Sequence, residues 1–181
     1  LEKIKSSKQK NKLASKSSVE GSTLKSTPTI GANWLGNVNN GMTPMDNHLA
    51  ISNNGIIVSV SNTTLEIDNS QGSLLYYNDL VSFFNVSSIQ EVCDPVVIYD
   101  NQQDRFILFF QESSGTAAGS QLCICFSKSN NPANDGWWKY TITGNPLNDG
   151  SWFDYPKMGI STNELYITGN LFYESGGNNQ S

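Results

Sequence analysis

Basic side chains are nearly missing from most of this sequence. From residue 26 onward it carries Arg105, Lys128, Lys139 and Lys157 against fourteen acids, and His48 is the one histidine. So acidic a body repels polyanions, which excludes nucleic acid and anionic lipid as partners and leaves divalent cations as counter-ions it attracts. A single arginine also excludes a cluster of guanidinium groups that would clamp a substrate carboxylate. Long hydrophobic runs are absent too. No stretch approaches the roughly 18 consecutive apolar residues of a membrane helix, so no membrane span is expected. Cysteine is scarce, and Cys93, Cys123 and Cys125 fit no zinc-ligand spacing. Cys123 and Cys125 sit two apart in a strand-like run, on one face, where a mutual disulfide rarely closes. Either Cys93 pairs with one of them or all three are buried thiols.

What is present is Asn, Ser and Gly in quantity, with aromatics set inside short apolar runs. That profile belongs to a loop-rich all-β protein. Residues 1–30 form a separate region. They lack hydrophobic periodicity, and the first 25 carry seven Lys against Glu2 and Glu20. They read as a flexible basic leader. Gly31 to Pro44, with Trp34 as its one aromatic, reads as an ordered loop laid over the domain.

From Asp46 on, short strand candidates alternate with turn signals. The runs 48–52, 55–61, 64–67 and 73–77 make four antiparallel strands in sequential order. A short helix over 78–84, capped by Asn78, is expected next. The pattern restarts with 95–100, 105–112, 121–127 and 137–142, and again with 155–161 and 164–170. The three units begin at Asp46, Asp94 and Asp154, 48 and 60 residues apart. Asn62 and Asn170 each lie 16 residues past their unit's Asp, and Gln111-Glu112 ends the corresponding strand of the second unit. The repeat is imperfect, because the Ile-Ser dipeptides at 51–52 and 160–161 are offset by one residue. A four-stranded unit at this spacing is a propeller blade in sequence. The expected fold is therefore all-β, a partial β-propeller of four-stranded antiparallel blades over 31–181, with about two and a half blades present. Closing a ring takes roughly four or more. The remainder of the propeller is accordingly expected from polypeptide beyond Ser181.

The run TPMDNHLAISNNGIIVSVSNTTLEIDNSQGSLL resembles the opening blade of large secreted bacterial β-propeller surface proteins. DPVVIYDNQQDRFILFFQE with LCICFSKSNNPANDGWWKY is similar to their next blade, and FDYPKMGISTNELYITGNLF to the one after. The loop from Ser127 to Trp137, with Ser129 and Asp135-Gly136, resembles a degenerate Asp-box, the rim turn of sialidase-like propellers. The resemblance implies an extracellular or cell-surface protein acting as a binding or structural module. Its partner would be a surface glycan, another protein or the export machinery of a bacterial secretion system. The alternative it implies is a sialidase-like glycoside hydrolase whose catalytic residues lie largely beyond Ser181.

Asp46, Asp94 and Asp154 are expected at equivalent ends of the innermost strands. One reading is structural, with each carboxylate capping the turn into its strand. The other is a Ca²⁺ site, with these carboxylates and the amides of Asn62 and Asn170 as hard oxygen ligands. His48 reads better as a strand-end residue than as a general base, since no Gly-x-Ser-x-Gly nucleophile accompanies it. Trp34, Trp137, Trp138 and Trp152 would stack on sugar rings or pack between blades, and packing is the commoner use. No residue is assigned a catalytic role.

Overall fold

The computed structural model describes residues 27, 29–38 and 41–173. The expected leader lies almost wholly outside them. The chain divides between Gly31 and Ala32 into two units, and every strand belongs to the second.

Among the described residues ten strands form three antiparallel sheets, and the all-β class holds. The first sheet is β1 (His48–Ile51), β2 (Ile57–Ser61), β3 (Thr64–Asp68) and β4 (Leu74–Asp79), ordered as in the chain. The helix α1 (Leu80–Phe84) leads into β5 (Val92–Asp100), β6 (Arg105–Glu112), β7 (Gln121–Ser127) and β8 (Trp137–Thr143), the second sheet. A one-turn helix, α2 (Pro132–Asp135), precedes β8. The third sheet is the pair β9 (Ser151–Ile160) and β10 (Leu165–Tyr173). Two four-stranded meanders and a two-stranded third are the expected content. The described residues form no closed ring.

Alternation explains why the sheets stack. Val58 and Val60 of β2 and Leu65 and Ile67 of β3 point from the first sheet toward Val97, Phe106, Leu108 and Phe110 of the second, in one buried cluster. Ile107, Phe109, Leu122 and Ile124 point the other way, onto Phe153, Ile167 and Leu171 of the third. The middle sheet is thus apolar on both faces, and RFILFF reads as a continuous apolar run for that reason. The leading strands β1, β5 and β9 lie side by side, as innermost strands of successive blades would.

Two local expectations are corrected. The helix is capped by Asp79, whose carboxylate accepts the Ser82 N–H at 2.7 Å. Asn78 instead lies within β4 opposite Leu65, and its side-chain oxygen accepts the Asp79 N–H. The third unit's first strand starts at Ser151 rather than Tyr155, because a bulge interrupts its alternation. The segment from Ala32 to Asn37 does lie over the first sheet. Asn37 reaches the Ser59 and Thr64 carbonyls and accepts from the Thr64 hydroxyl, while the Trp34 ring sits against the turn at Gly72.

Candidate functional site

The three repeat-starting aspartates meet where β1, β5 and β9 begin. In β5 an extra residue enters the ladder, with Asp94-Pro95 opposite Phe110 between the pairs Cys93–Gln111 and Val96–Phe109. In β9 the same happens, with Tyr155-Pro156 opposite Gly169 between Asp154–Asn170 and Lys157–Thr168. Proline tolerates a bulge because it has no N–H to lose from the ladder. Asp46, Asp94 and Tyr155 all have positive φ, at 46°, 52° and 55°. Aspartate bears that conformation better than most side chains, whereas a tyrosine there is uncommon. The structurally equivalent residues are therefore Asp46, Asp94 and Tyr155, and Asp154 sits one place earlier. This accounts for the one-residue offset of the Ile-Ser dipeptides.

Two amides tie the cluster together. Asn62, just past β2, donates to the Asp46 carboxylate and to the Pro44 carbonyl, both at 2.8 Å. Its oxygen accepts the Asp94 backbone N–H of the next sheet at 2.7 Å. Gln111, at the end of β6, donates to Asp154 at 2.7 Å and lies 3.4 Å from Asp94. Both residues face the following sheet, two residues beyond the same-face core residues Val60 and Phe109. Each amide thus bonds its own unit's aspartate and the next unit's start. Gln111 is 2% exposed and its side-chain oxygen has no partner. Asn170 opposes Asp154 in the β9–β10 register, the same place in the third unit.

Crowding three carboxylates is costly. Burial first, then the charges of Asp154 and Asp46 with a hydrogen bond to Asp46, push Asp94 up to about 6. Cys93, beside Gln111, is pushed up to about 12 by burial and by Asp94, so it is no nucleophile near neutrality. A cleft of about 150 Å³ opens at the cluster, lined by Asp46, His48, Asp94, Tyr155 and Lys157 among others. The imidazole Nδ1 of His48 lies 3.4 Å from the Val97 N–H, which it accepts, so the histidine links β1 to β5. Among the described residues no group of three His, Cys, Asp or Glu is arranged to hold a metal ion. Asn62 has both ends of its amide engaged within the protein.

Other expected residues lie elsewhere. Arg105 is 3.9 Å from Asp100 and over the Phe126 ring, away from the cluster. Trp137 packs edge-on against Phe83 and Trp152 against Phe172, while Trp138 is half exposed on β8. In the 127–137 loop Ser127 accepts the Phe106 N–H and donates to the Ser129 carbonyl, and Ser129 bonds Asp135. That is a self-bonded turn rather than a reacting site. All three cysteines are free thiols, and Cys123 and Cys125 are buried against the first sheet.

Two features were not singled out from sequence. Gln111 is one, named from sequence as part of its strand's end but not as a site residue; its signal was its place 17 residues past Asp94, beside the 16 of the other two units. The other is the pair Glu66 and Asp68, buried on the outer face of β3 under the 32–37 segment. Burial, then a hydrogen bond to Asp68 and its charge, push Glu66 up to about 7. Asp68 borders a groove of about 610 Å³ that also includes Trp34, Asn37, Leu49 and Ile51. No family model, curated protein or solved structure matches the chain.

Proposed function

We propose that this chain supplies consecutive blades of a β-propeller that works outside the cell or at its surface as a binding or structural module. Its partners would be a glycan or a protein, with a bacterial secretion system as its export route and further blades completing the ring. One observation carries the reading. Asp46 and Asp154 accept from the amides of Asn62 and Gln111, and Asn62 also takes the Asp94 backbone N–H, so the cluster is bonded into the joints between adjacent sheets. Carboxylates held by amides within the framework serve architecture rather than turnover. The alternative, a sialidase-like hydrolase, would need groups that these residues do not bring together, because Arg105 stands apart. Incubating the protein with a panel of polysaccharides and sialosides, while measuring both binding and released sugar, separates the two. Retention without product is expected. Turnover would overturn the module reading.

A calcium ion is the second part of the proposal. The carboxylates of Asp46, Asp94 and Asp154 suit it in charge and donor type, and it would relieve the repulsion that raises Asp94. Asn62 does not suit it, because its oxygen already takes the Asp94 N–H. Asn170 is placed beside Asp154 in register only. Titration calorimetry with calcium should show saturable uptake that Asp94→Asn weakens at least tenfold. Absence of heat at millimolar calcium removes the ion from the proposal.

A further inference from the structure

The junction between the first and second sheets and the junction between the second and third are built alike. In each, an amide at or just past the end of the second strand faces the next sheet and bonds the next unit's start: the Asn62 oxygen accepts the Asp94 backbone N–H, and the Gln111 amide nitrogen donates to the Asp154 carboxylate. In each, the same-face residues two and four places earlier are buried by the next sheet. These are Val60 and Val58 in the first unit, at 1% and 0% exposure, and Phe109 and Ile107 in the second, at 0% and 2%.

The third sheet repeats the arrangement with its face uncovered. Along β10 the residues Leu165, Ile167 and Leu171 turn inward to the second sheet, so Tyr166, Thr168, Asn170 and Phe172 turn outward. Counting back from Asn170, Thr168 and Tyr166 occupy the places of the buried pairs. Tyr166 is 58% exposed and Phe172 41%. Asn170 opposes Asp154, one place before the positive-φ Tyr155, as Gln111 opposes Cys93, one place before the positive-φ Asp94.

We propose that this outward face of β10 is a docking surface for a further antiparallel sheet of the same design, and that Asn170 is its latch. The incoming sheet would be the next blade of the same propeller. Its innermost strand would lie beside β9 and begin with an aspartate in the left-handed region, whose N–H the Asn170 oxygen accepts as the Asn62 oxygen accepts that of Asp94. Continuity with two junctions already formed in this molecule identifies the occupant. A second copy of the chain would instead meet β10 with a surface not built to that register. The inference rests on the blade reading above and adds the contact residue and the chemistry of what it receives.

The test compares hydrogen exchange of residues 165–173 in the 181-residue chain and in the natural polypeptide isolated at its own length. Protection in the natural polypeptide should exceed that in the 181-residue chain by at least tenfold and approach that of residues 107–111. Asn170→Ala should abolish most of the gain, and Asn170→Gln should restore part of it, since Gln111 does this work at the previous junction. Equal exchange, with mass spectrometry showing a natural polypeptide longer than 181 residues, overturns the docking surface alone, whereas a natural polypeptide of these 181 residues overturns the blade reading as well. Strong protection that Asn170→Ala leaves untouched overturns the latch alone. Self-association of the 181-residue chain that protects the same strand makes a second copy the occupant and also overturns the proposal.

Discussion

Asp94 is the residue at which charge and architecture conflict. Its folded pKa, raised from 3.8 to about 6, means that folding disfavours its ionised form. The stability it contributes is present below pH 3.8 and is lost as pH rises through about 6. Glu66, raised from 4.5 to about 7, acts in the same direction one step higher. Asp79 opposes them, because the Ser82 N–H lowers its pKa and its helix cap is lost in acid. Stability should therefore rise as pH falls from about 8 to about 4 and decline only below that, as Asp79 takes up its proton. Thermal unfolding followed across that range tests the sign. Asp94→Asn should flatten the slope between about pH 5 and 7 and raise the midpoint at about pH 8, where the wild-type carboxylate is charged. A midpoint that climbs with pH over that interval would refute the account of the cluster. The aspartates were legible in sequence because they mark three repeats. Their partner Gln111 was not, because an amide's role depends on which way its strand faces, and bulges in β5 and β9 change that count by one.

Elements were legible where alternation and turn residues agreed. The runs 105–112 and 121–127 are β6 and β7 to the residue, because buried apolar side chains fill both and clear turns bound them. The start of β9 was not legible. Asp154-Tyr155-Pro156 carries turn residues, and only the opposite strand shows that they form a bulge inside a ladder. Gly169 is the sequence mark of that bulge. A Cβ there would run into the Phe153 ring and stand 2.7 Å from the Asp154 carbonyl oxygen. Both lie far inside van der Waals contact, and one of them is backbone. Gly169→Ala should therefore cost about 1–3 kcal/mol, the usual penalty for overpacking, rather than stabilise as Gly→Ala does where the backbone accepts it. Chemical denaturation of the variant reads this directly. A stabilised variant would mean that the bulge yields. The helix cap shows the same limit of local signals. Asn78 and Asp79 are both good caps, and the β3–β4 register decides between them because the ladder runs on past Asn78 to its last pair, Thr64–Asp79.

At the scale of the molecule, the middle sheet is covered on both faces and the outer sheets on one. Leu49 and Ile51 on β1 and the stripe Trp138, Tyr140 and Ile142 on β8 stay exposed, each between 48% and 58%. The β8 stripe lies on the face that turns toward the third sheet, whose two strands β9 and β10 cover Ile107, Phe109 and Ile124 but leave β8 bare. Contiguous apolar surface of this kind is what protein contacts cover. Burial separates the two sets of side chains energetically. Phe109→Ala empties a site between two sheets and should cost about 3–5 kcal/mol. Tyr140→Ser removes a ring that water already reaches, so its effect on unfolding should stay within about 0.5 kcal/mol, as for most surface substitutions. The same change should lower binding of an apolar reporter dye to the folded chain, while Phe109→Ala should raise it by loosening the core. If Tyr140→Ser destabilises as much as Phe109→Ala, the stripe belongs to the core of the chain as it stands, and no further strands are needed to cover β8.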